Sequence, residues 1–408
     1  MKALVLCGGI PQIELIKNLK RRGIQVILAD MNEQVSGRKH ADKFYPVSTL
    51  DEKGIKNLAI KENVDFLITV CADQVLEVVA NISEELGLPC YIDSNTAKNV
   101  SDKEYMKKIF RENNIPTSKH IVMDCFDEKQ IISMRYPLIV KPVDSYSSRG
   151  VCKVNSIEEC EQAFEKALNI SRSKKVIVEE FVTGEEVTVD VYVENGRAHI
   201  LAASNLEKIP EVDKFVICRT KYPANISDSI MEKIQSVAQK IANSFNLYNS
   251  PMLIQLISNG RDISVLEFCA RTGGGDKFRL IKKVSGFDVI NAVVELTLGE
   301  KPHIEKDVFL LKYIVDEFLY CNPGIIKEFE GFENLRQNDI ISEYFILKKK
   351  GAKVSEVNSS GDRVAYFTVE GKNLDDLKKK YSIVNKNIKV VSEDGKDILK
   401  HELLEGMV

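Results

Sequence analysis

Short apolar runs alternate with helical spacing of apolar residues at the start of the chain. A continuous apolar run at residues 3–7 ends in a pair of glycines, and a helical pattern follows. A second apolar run, at residues 25–29, ends at Asp30. This order of strand, glycine turn, helix, strand and acidic residue is typical of a doubly wound α/β domain. The pattern predicts such a domain over residues 1–97.

The glycine pair Gly8-Gly9 has two interpretations. It lacks the third glycine of a dinucleotide-binding fingerprint, so a tight turn between strand and helix is the simpler interpretation. A dinucleotide site at this turn remains the alternative.

Two later segments are predicted mainly from local signals. A helix is expected from Glu104 to Asn113, with Ser101 as its N-cap. Residues 204–228 show little periodicity and contain several cationic side chains, which predicts a long connection. Such a connection is either a substrate loop or a solvated loop.

A buried strand with a cation at its end lies near the middle of the chain. Its apolar residues 138–140 lead to Lys141, and a serine-rich segment then runs to Arg149 and Gly150. A lysine is a point charge for phosphate oxygens, and a flexible loop offers backbone N–H groups. In isolation, a lysine that points to solvent is the simpler interpretation.

A second strand pair carries carboxylates. Glu179 and Glu180 end the first strand, the chain bends at Gly184, and Glu186 lies on the next strand. Paired glutamates alone usually mark a solvated strand end.

A hairpin further along brings two oxygen-bearing side chains onto neighbouring strands. Residues 252–258 and 262–268 flank an Asn-Gly turn, which places Gln255 opposite Glu267. Mg²⁺ takes oxygen ligands from one or two protein groups plus phosphates, so this pair is a candidate metal site.

The hairpin leads into a run of three glycines. Arg271 precedes Gly273, Gly274 and Gly275, and a helix is expected near residues 277–284. Glycines let backbone N–H groups approach an anion closely, and the helix directs its N-terminus the same way.

Composition excludes several classes of protein. A chain of 408 residues exceeds one compact core, so about two to four domains are expected. Its 57 Lys and Arg against 60 Asp and Glu are interspersed, which argues against a nucleic-acid partner. Nine cysteines without a CxxC motif are typical of reduced thiols in a cytoplasmic protein. The first apolar stretch is too short for a signal peptide, and no run reaches transmembrane length, so no membrane association is expected.

Together, the order and spacing of these segments resemble the ATP-grasp superfamily, in which two α+β subdomains hold ATP between them. The resemblance covers residues 1 to 300 well and the last hundred loosely. It implies a Rossmann-like domain (1–97), an ATP-grasp domain (98–303, with a lid subdomain at about 120–183) and a small C-terminal α+β domain (304–408).

The resemblance also implies roles for individual residues. The Glu179 carbonyl or carboxylate faces the adenine amino group, the Val182 N–H faces a ring nitrogen, and Glu186 binds the ribose. Lys103 reaches the phosphates, although a surface lysine is the alternative there. The full set of implied ATP contacts is Lys103, Lys141, Ser147, Ser148, Gly150, Glu179, Glu180, Phe181, Val182 and Glu186.

Metal and substrate contacts follow from the same resemblance. Gln255 and Glu267 are the implied ligands of Mg²⁺, for which Mn²⁺ can substitute. Cys269 stands where the family has an asparagine ligand, and a thiol is a poor ligand for Mg²⁺. Arg271 and Lys141 are the implied catalytic cations. The implied substrate contacts are Gly273, Gly274, Gly275 and Asp73, and the Gly8 loop is a further candidate for the pocket wall.

The implied activity is that of a carboxylate–amine ligase, of the L-amino-acid-ligase or carbamoyl-phosphate-synthetase-like branch. ATP converts a small carboxylate to an acyl phosphate, an amine attacks it, and ADP and phosphate leave. A phosphoribosylglycinamide-synthetase-like ligase and an ATP-binding sensor without turnover are the alternatives. The expected partners are a small-molecule carboxylate and amine, and a homodimer is left open.

Overall fold

The computed structural model describes residues 1–144, 149–210, 215–305 and 312–405. Its first elements form a parallel sheet with strand order β3-β2-β1-β4. These elements, in chain order, are β1 (Lys2–Leu6), α1 (Ile10–Arg21), β2 (Gln25–Ala29), a 3₁₀ helix (Ser36–His40), β3 (Lys43–Tyr45), α2 (Glu52–Glu62), β4 (Phe66–Ile68) and α3 (Asp73–Leu86). The doubly wound α/β prediction is confirmed.

The two faces of this sheet bury separate cores. Ala3 and Val5 pack into one core with α1, whereas Leu4 and Leu6 pack into the other with α2 and α3. This division follows from the two-residue period of a strand.

The glycine turn after β1 is tightly packed. The Gly8 N–H donates to Asp30 (2.9 Å), and the Gly37 N–H donates to the Gly8 carbonyl (2.7 Å). A Cβ atom on Gly8 would lie 2.6 Å from Val35 Cγ1. Of the two interpretations of this turn, the geometry is that of the tight turn between strand and helix.

The next elements lead into a smaller antiparallel sheet, here called the lid sheet, with strand order β5-β8-β6-β7. They are α4 (Ser94–Ser101), α5 (Lys103–Glu112), β5 (His120–Met123), α6 (Glu128–Ile131), β6 (Leu138–Pro142), β7 (Cys152–Val154), α7 (Ile157–Ile170) and β8 (Val176–Glu180). The prediction that Ser101 caps α5 was wrong. Asp102 is the cap, and it accepts a hydrogen bond from the Tyr105 N–H (3.0 Å), while Ser101 still belongs to α4.

A long antiparallel sheet, here called the central sheet, has strand order β13-β12-β9-β10-β11-β14-β18-β16. Its first part comprises β9 (Glu185–Glu194), β10 (Arg197–Lys208), β11 (Ile217–Tyr222), α8 (Asp228–Ser244), β12 (Ser250–Ser258), β13 (Ile263–Cys269), α9 (Lys277–Ser285) and α10 (Val289–Thr297). Helix α10 packs back on α1, so this later part of the chain completes the first core.

The expected connection at residues 204–228 was wrong, because much of it is strand. Ala202 to Ser204 are all buried, since β10 is covered on both faces and loses the alternation of a half-exposed strand. In β11 the buried Arg219 pairs with Glu317, so a charge stands where a strand pattern would show an apolar residue.

The last elements extend the central sheet and add a small second sheet, β17-β15-β19. They are β14 (Tyr313–Leu319), β15 (Gly324–Glu330), α11 (Phe332–Gln337), β16 (Glu343–Ile346), β17 (Lys353–Val354), a 3₁₀ helix (Ser360–Asp362), β18 (Ala365–Gly371), α12 (Leu374–Asn387), β19 (Lys389–Ser392) and α13 (Glu402–Glu405). Strand β14 pairs directly with β11, so the sheet continues across the expected domain border. Among the described helices, none combines the length and hydrophobicity needed to cross a bilayer.

Candidate active site

One cavity between the lid sheet and the central sheet collects most of the side chains predicted to bind ATP or metal. Those that line it are Lys103, Lys141, Glu179, Glu180, Phe181, Val182, Glu186, Gln255 and Glu267. Arg149 and Val151 also line it, on either side of the predicted Gly150, whose φ of 77° is left-handed. Ser147 and Ser148, the other predicted contacts, lie outside the described residues. We call this space the nucleotide cavity.

Lys141 ends β6 in this cavity and is fixed by a carboxylate on the neighbouring strand. Its Nζ lies 2.8 Å from Glu179 Oε2, and Lys107 lies 2.8 Å from the other carboxylate oxygen. Burial alone would raise the pKa of Glu179, but the two ammonium groups hold it well below its usual range. Burial works against the charge of Lys141, yet Glu179 and Glu267 raise its pKa. Burial lowers the pKa of Lys107, and Glu179 opposes that effect. The 2.8 Å contacts of Lys107 and Lys141 with Glu179 are those of two ammonium groups with one carboxylate.

The two lysine contacts bear on the two predicted roles of Glu179. The sequence left open whether its carbonyl or its carboxylate faces the adenine amino group. Both carboxylate oxygens lie 2.8 Å from a lysine ammonium group, which favours the carbonyl role.

The strand end after Glu179 has its own contacts. Glu180 accepts a hydrogen bond from the Arg135 N–H (3.1 Å), and the Phe181 N–H donates to the Pro137 carbonyl (2.9 Å). Lys153 lies over the Phe181 ring, 4.1 Å from its centroid. These contacts fix Phe181, which lines the cavity together with Val182.

Glu186, predicted to bind ribose, is paired with a lysine that the sequence did not assign to ATP. Its carboxylate forms an ion pair with Lys208 of β10, and Lys208 lies 4.8 Å from the centroid of the Phe215 ring. Lys208 and Phe215 also line the nucleotide cavity. The carboxylate is therefore held at the cavity wall by a cation.

The predicted metal ligands face each other across the hairpin. Gln255 and Glu267 are direct cross-strand partners, and a bulge follows Gln255. Lys103 Nζ lies 3.6 Å from Glu267 Oε2. Within the described ranges, no cluster of three or more His, Cys, Asp or Glu side chains could hold a metal ion. One carboxylate and one amide beside a phosphate site still fit Mg²⁺, because phosphate oxygens complete its ligands.

A second and much smaller cavity, of about 20 Å³, shares Lys103 and Glu267 with the first. We call it the substrate cavity because the predicted substrate contact Asp73 lines it. Asp73, Cys269 and Arg271 line it together with Lys103 and Glu267. Arg271 Nε donates to Asp73 Oδ1 (2.5 Å), and its NH2 group donates to the other carboxylate oxygen. The predicted catalytic arginine and a predicted substrate contact thus bind each other. Burial, followed by Asp73, raises the pKa of the Cys269 thiol, which keeps it protonated.

The glycine run after Arg271 covers a buried pair of charges. A Cβ atom on Gly273 would lie 3.3 Å from Asp190 Oδ1, whereas one on Gly274 would meet no heavy atom within 4 Å. Asp190 lies 3.6 Å from Lys277, and among the described residues neither charged group has a hydrogen-bond partner. Burial raises the pKa of Asp190 and lowers that of Lys277.

The chain matches two protein families over separate segments. Residues 134–278 match the ATP-grasp domain, and residues 317–393 match L-amino acid ligase C-terminal domain 2. Residues 134–278 therefore carry an ATP-grasp domain, and the prediction of an ATP-grasp ligase is confirmed. Enzymes of this family use ATP and Mg²⁺, so those cofactor predictions are confirmed and the sensor without turnover is not supported.

Individual proteins resemble this ligase at low sequence identity. A formate-dependent phosphoribosylglycinamide formyltransferase from Saccharolobus solfataricus is 24% identical over 284 residues, which are 66% of this chain and 69% of that protein. An L-amino acid ligase from Bacillus licheniformis superposes with a TM-score of 0.83 at 16% identity, covering 96% of this chain and 98% of that one. A phosphoribosylglycinamide synthetase from Anaerococcus prevotii superposes with a TM-score of 0.76 at 21% identity, covering 96% of this chain and 99% of that one. The structural likenesses establish the fold.

Sequence reasoning did not single out three buried charged residues near the two cavities, namely Lys107, Asp190 and Lys277. It placed Lys208 only within a possible substrate loop. One of the three buried residues left a readable signal. On α5 the buried positions are Lys103, Met106, Lys107 and Phe110, which is the spacing of a single buried face. Two lysines on an otherwise apolar face indicate that the elements packed against this face supply carboxylate partners.

Proposed function

We propose that this protein is an ATP-dependent ligase that activates a small carboxylate as an acyl phosphate and joins it to an amine. The observation that carries the proposal is the common wall of the two cavities. Lys103 and Glu267 line both the nucleotide cavity and the substrate cavity. The second cavity, of about 20 Å³, has room for no more than a water-sized group. A substrate carboxylate would therefore meet the phosphate end of a nucleotide there once Arg271 and Asp73 separate.

The residues divide the work of the first step. A substrate carboxylate oxygen attacks the γ-phosphorus, the bond to the bridging oxygen breaks, and ADP leaves. Lys103 and Lys141 hold the phosphates, and Arg271 offers positive charge to the transferring group. Gln255 and Glu267 would hold Mg²⁺ or Mn²⁺, which neutralises phosphate charge when bound.

The second step needs the acyl phosphate to be protected until the amine arrives. The amine nitrogen attacks the acyl carbon, phosphate leaves, and the nitrogen loses a proton. The backbone N–H groups near Gly274 would hold acyl-phosphate oxygens, and the open space beside the Gly274 Cα supports this role. The L-amino acid ligase domain in residues 317–393 supports an amino acid as one substrate.

A coupled assay tests this function directly. ADP formation is measured over pairs of amino acids, with hydroxylamine present to trap an acyl phosphate as a hydroxamate. We expect ADP, phosphate and hydroxamate. AMP and pyrophosphate as products would contradict acyl-phosphate chemistry.

A second candidate is a phosphoribosylglycinamide-type ligase, and a basic cleft favours it. The cleft lies between the N-terminal sheet and the C-terminal strands, and Lys17, Arg38, Lys39 and Lys349 line it with Glu33. Burial and then the neighbouring Lys39, Lys17 and Lys20 lower the pKa of His40 there. ADP release with formate and phosphoribosylglycinamide, but not with amino-acid pairs, would establish this candidate.

We also place the enzyme in the cytoplasm. All nine cysteines are free thiols, which a reducing compartment maintains.

A further inference from the structure

Lys107 is a buried cation behind the wall of the nucleotide cavity. It lies one helical turn after Lys103 on α5, and its side chain is only 2% exposed. Its Nζ donates to Thr117 Oγ1 (2.6 Å), and Thr117 donates to the Val265 carbonyl of β13 (2.7 Å). The ammonium group is therefore fixed between the helix and the central sheet.

Glu179 connects this cation to the cavity. One carboxylate oxygen faces Lys107 and the other faces Lys141, both at 2.8 Å. Lys141 is 14% exposed and lines the cavity, whereas Glu179 is 4% exposed and Lys107 lies behind it. The order from the interior to the cavity is therefore lysine, glutamate, lysine.

Lys107, Glu179 and Lys141 form a row of charges, and the net charge of this row affects phosphate binding. Lys141 and Glu179 alone form a neutral pair, and a neutral pair attracts phosphate weakly. Lys107 adds the second positive charge, so the row as a whole carries one unit of positive charge. Charges within a few ångströms in a buried wall are poorly screened by water.

We propose that Lys107 is a positioning residue for ATP: it pairs with Glu179 and thereby leaves Lys141 positively charged and correctly oriented toward the phosphates. The proposal rests on the proposed function only in requiring that ATP occupy the nucleotide cavity. Lys107 does not line that cavity, so its effect passes through Glu179.

The test is a double-mutant cycle read by binding. Lys107→Met, Glu179→Gln and the double variant are titrated with a non-hydrolysable MgATP analogue and, separately, with adenosine. Lys107→Met should weaken binding of the analogue by about tenfold. It should weaken binding of adenosine by less than about twofold, because adenosine carries no phosphate. The double variant removes one charge of each sign and should bind the analogue within about threefold of the unchanged protein.

Two further variants serve as controls, one for the loss of any lysine on this helix and one for the loss of charge at Lys107. Lys108→Met changes an exposed lysine next in sequence, 59% exposed, and should leave both affinities unchanged. Lys107→Arg keeps the charge and should retain most of the analogue affinity. If Lys107→Met fails to fold, which removal of one partner of a buried ion pair can cause, the double variant and Lys107→Arg still carry the test.

Three outcomes would overturn the inference. Equal losses for adenosine and the analogue would make Lys107 a structural residue. If the double variant binds the analogue as weakly as Lys107→Met does, Glu179 does not transmit the effect. Failure of the unchanged protein to bind the analogue would instead remove the nucleotide site, and with it the proposed function.

Discussion

The nucleotide cavity and the substrate cavity satisfy their charges in different ways. At the nucleotide cavity, Lys141 and the buried Lys107 behind it share the carboxylate of Glu179 at 2.8 Å each, so the three side chains keep a net positive charge. On the substrate side, Arg271 is fully matched by Asp73. Beneath the neighbouring glycines, Asp190 and Lys277 stay 3.6 Å apart, and within the described residues neither has a hydrogen bond.

This difference separates a preformed site from one that must change. A phosphate can bind Lys141 without breaking an existing pair, because Glu179 already has Lys107. A substrate carboxylate must compete with Asp73 for Arg271. We infer that nucleotide affinity is built into the free protein, whereas substrate binding includes an exchange of ion-pair partners. The following predictions test each half, from the largest expected effect to the smallest.

Loss of the shared carboxylate should affect both cavities at once. Glu267→Gln removes the charged metal ligand on their common wall, and we expect turnover to fall on the order of a thousandfold. Gln255→Ala is the matched control and should cost only about tenfold, because a neutral amide holds Mg²⁺ more weakly. The coupled ADP assay at saturating Mg²⁺ measures both, and equal losses would contradict the unequal roles.

The guanidinium on the substrate side should matter through its shape as well as its charge. Arg271→Lys keeps the charge but loses the planar fork, so kcat should fall by about two orders of magnitude, about 3 kcal/mol. Asp73→Asn leaves the guanidinium in place and should cost less than about tenfold in kcat. A larger loss for Asp73→Asn would mean that the pair itself is needed in the reaction.

The glycine run should tolerate a side chain in the fold but not in the reaction. A Cβ atom on Gly274 meets no heavy atom within 4 Å, so Gly274→Val should fold normally. Its branched side chain closes the approach to the backbone, and KM for the carboxylate should rise by about tenfold with ATP affinity unchanged. An unaltered substrate KM would place the carboxylate elsewhere.

A carboxyl group on the substrate side should make stability depend on pH near neutrality. Burial and then Asp316 raise the pKa of Asp276 from 3.8 to about 7. Between these values the folded protein keeps a proton that the unfolded chain has lost, so stability declines as pH rises through about 7.

Comparison of two asparagine variants measures this effect. The fall in Tm between about pH 5 and about pH 8 should shrink by about 2–4 °C in Asp276→Asn. Asp262→Asn, at a site 76% exposed, should leave the fall unchanged. An identical slope in Asp276→Asn and the unchanged protein would assign the titration to another group.

A contact in this protein is predictable from the sequence when its two residues lie close together along the chain. The register of Gln255 with Glu267 follows from one short turn, and it is confirmed. The Arg271–Asp73 contact joins residues 198 positions apart, so it could be found only after both domains are folded. Lys107 lies between these cases. The sequence shows its helical spacing from Lys103, but it does not show that Glu179 is its partner. The buried charge of Arg219 misled the reading of β11 for the same reason, since Glu317 comes from a distant strand.

The continuity of the central sheet has a consequence for how this chain can be cut. Strand β14 pairs with β11 along Arg219 to Tyr222, so a fragment ending near residue 304 would lose that neighbour. The uncovered strand would present a row of unpaired N–H and C=O groups, which invites pairing with a second molecule. Such a fragment, although it contains every residue of the nucleotide cavity, should aggregate rather than serve as a minimal ATP-binding unit.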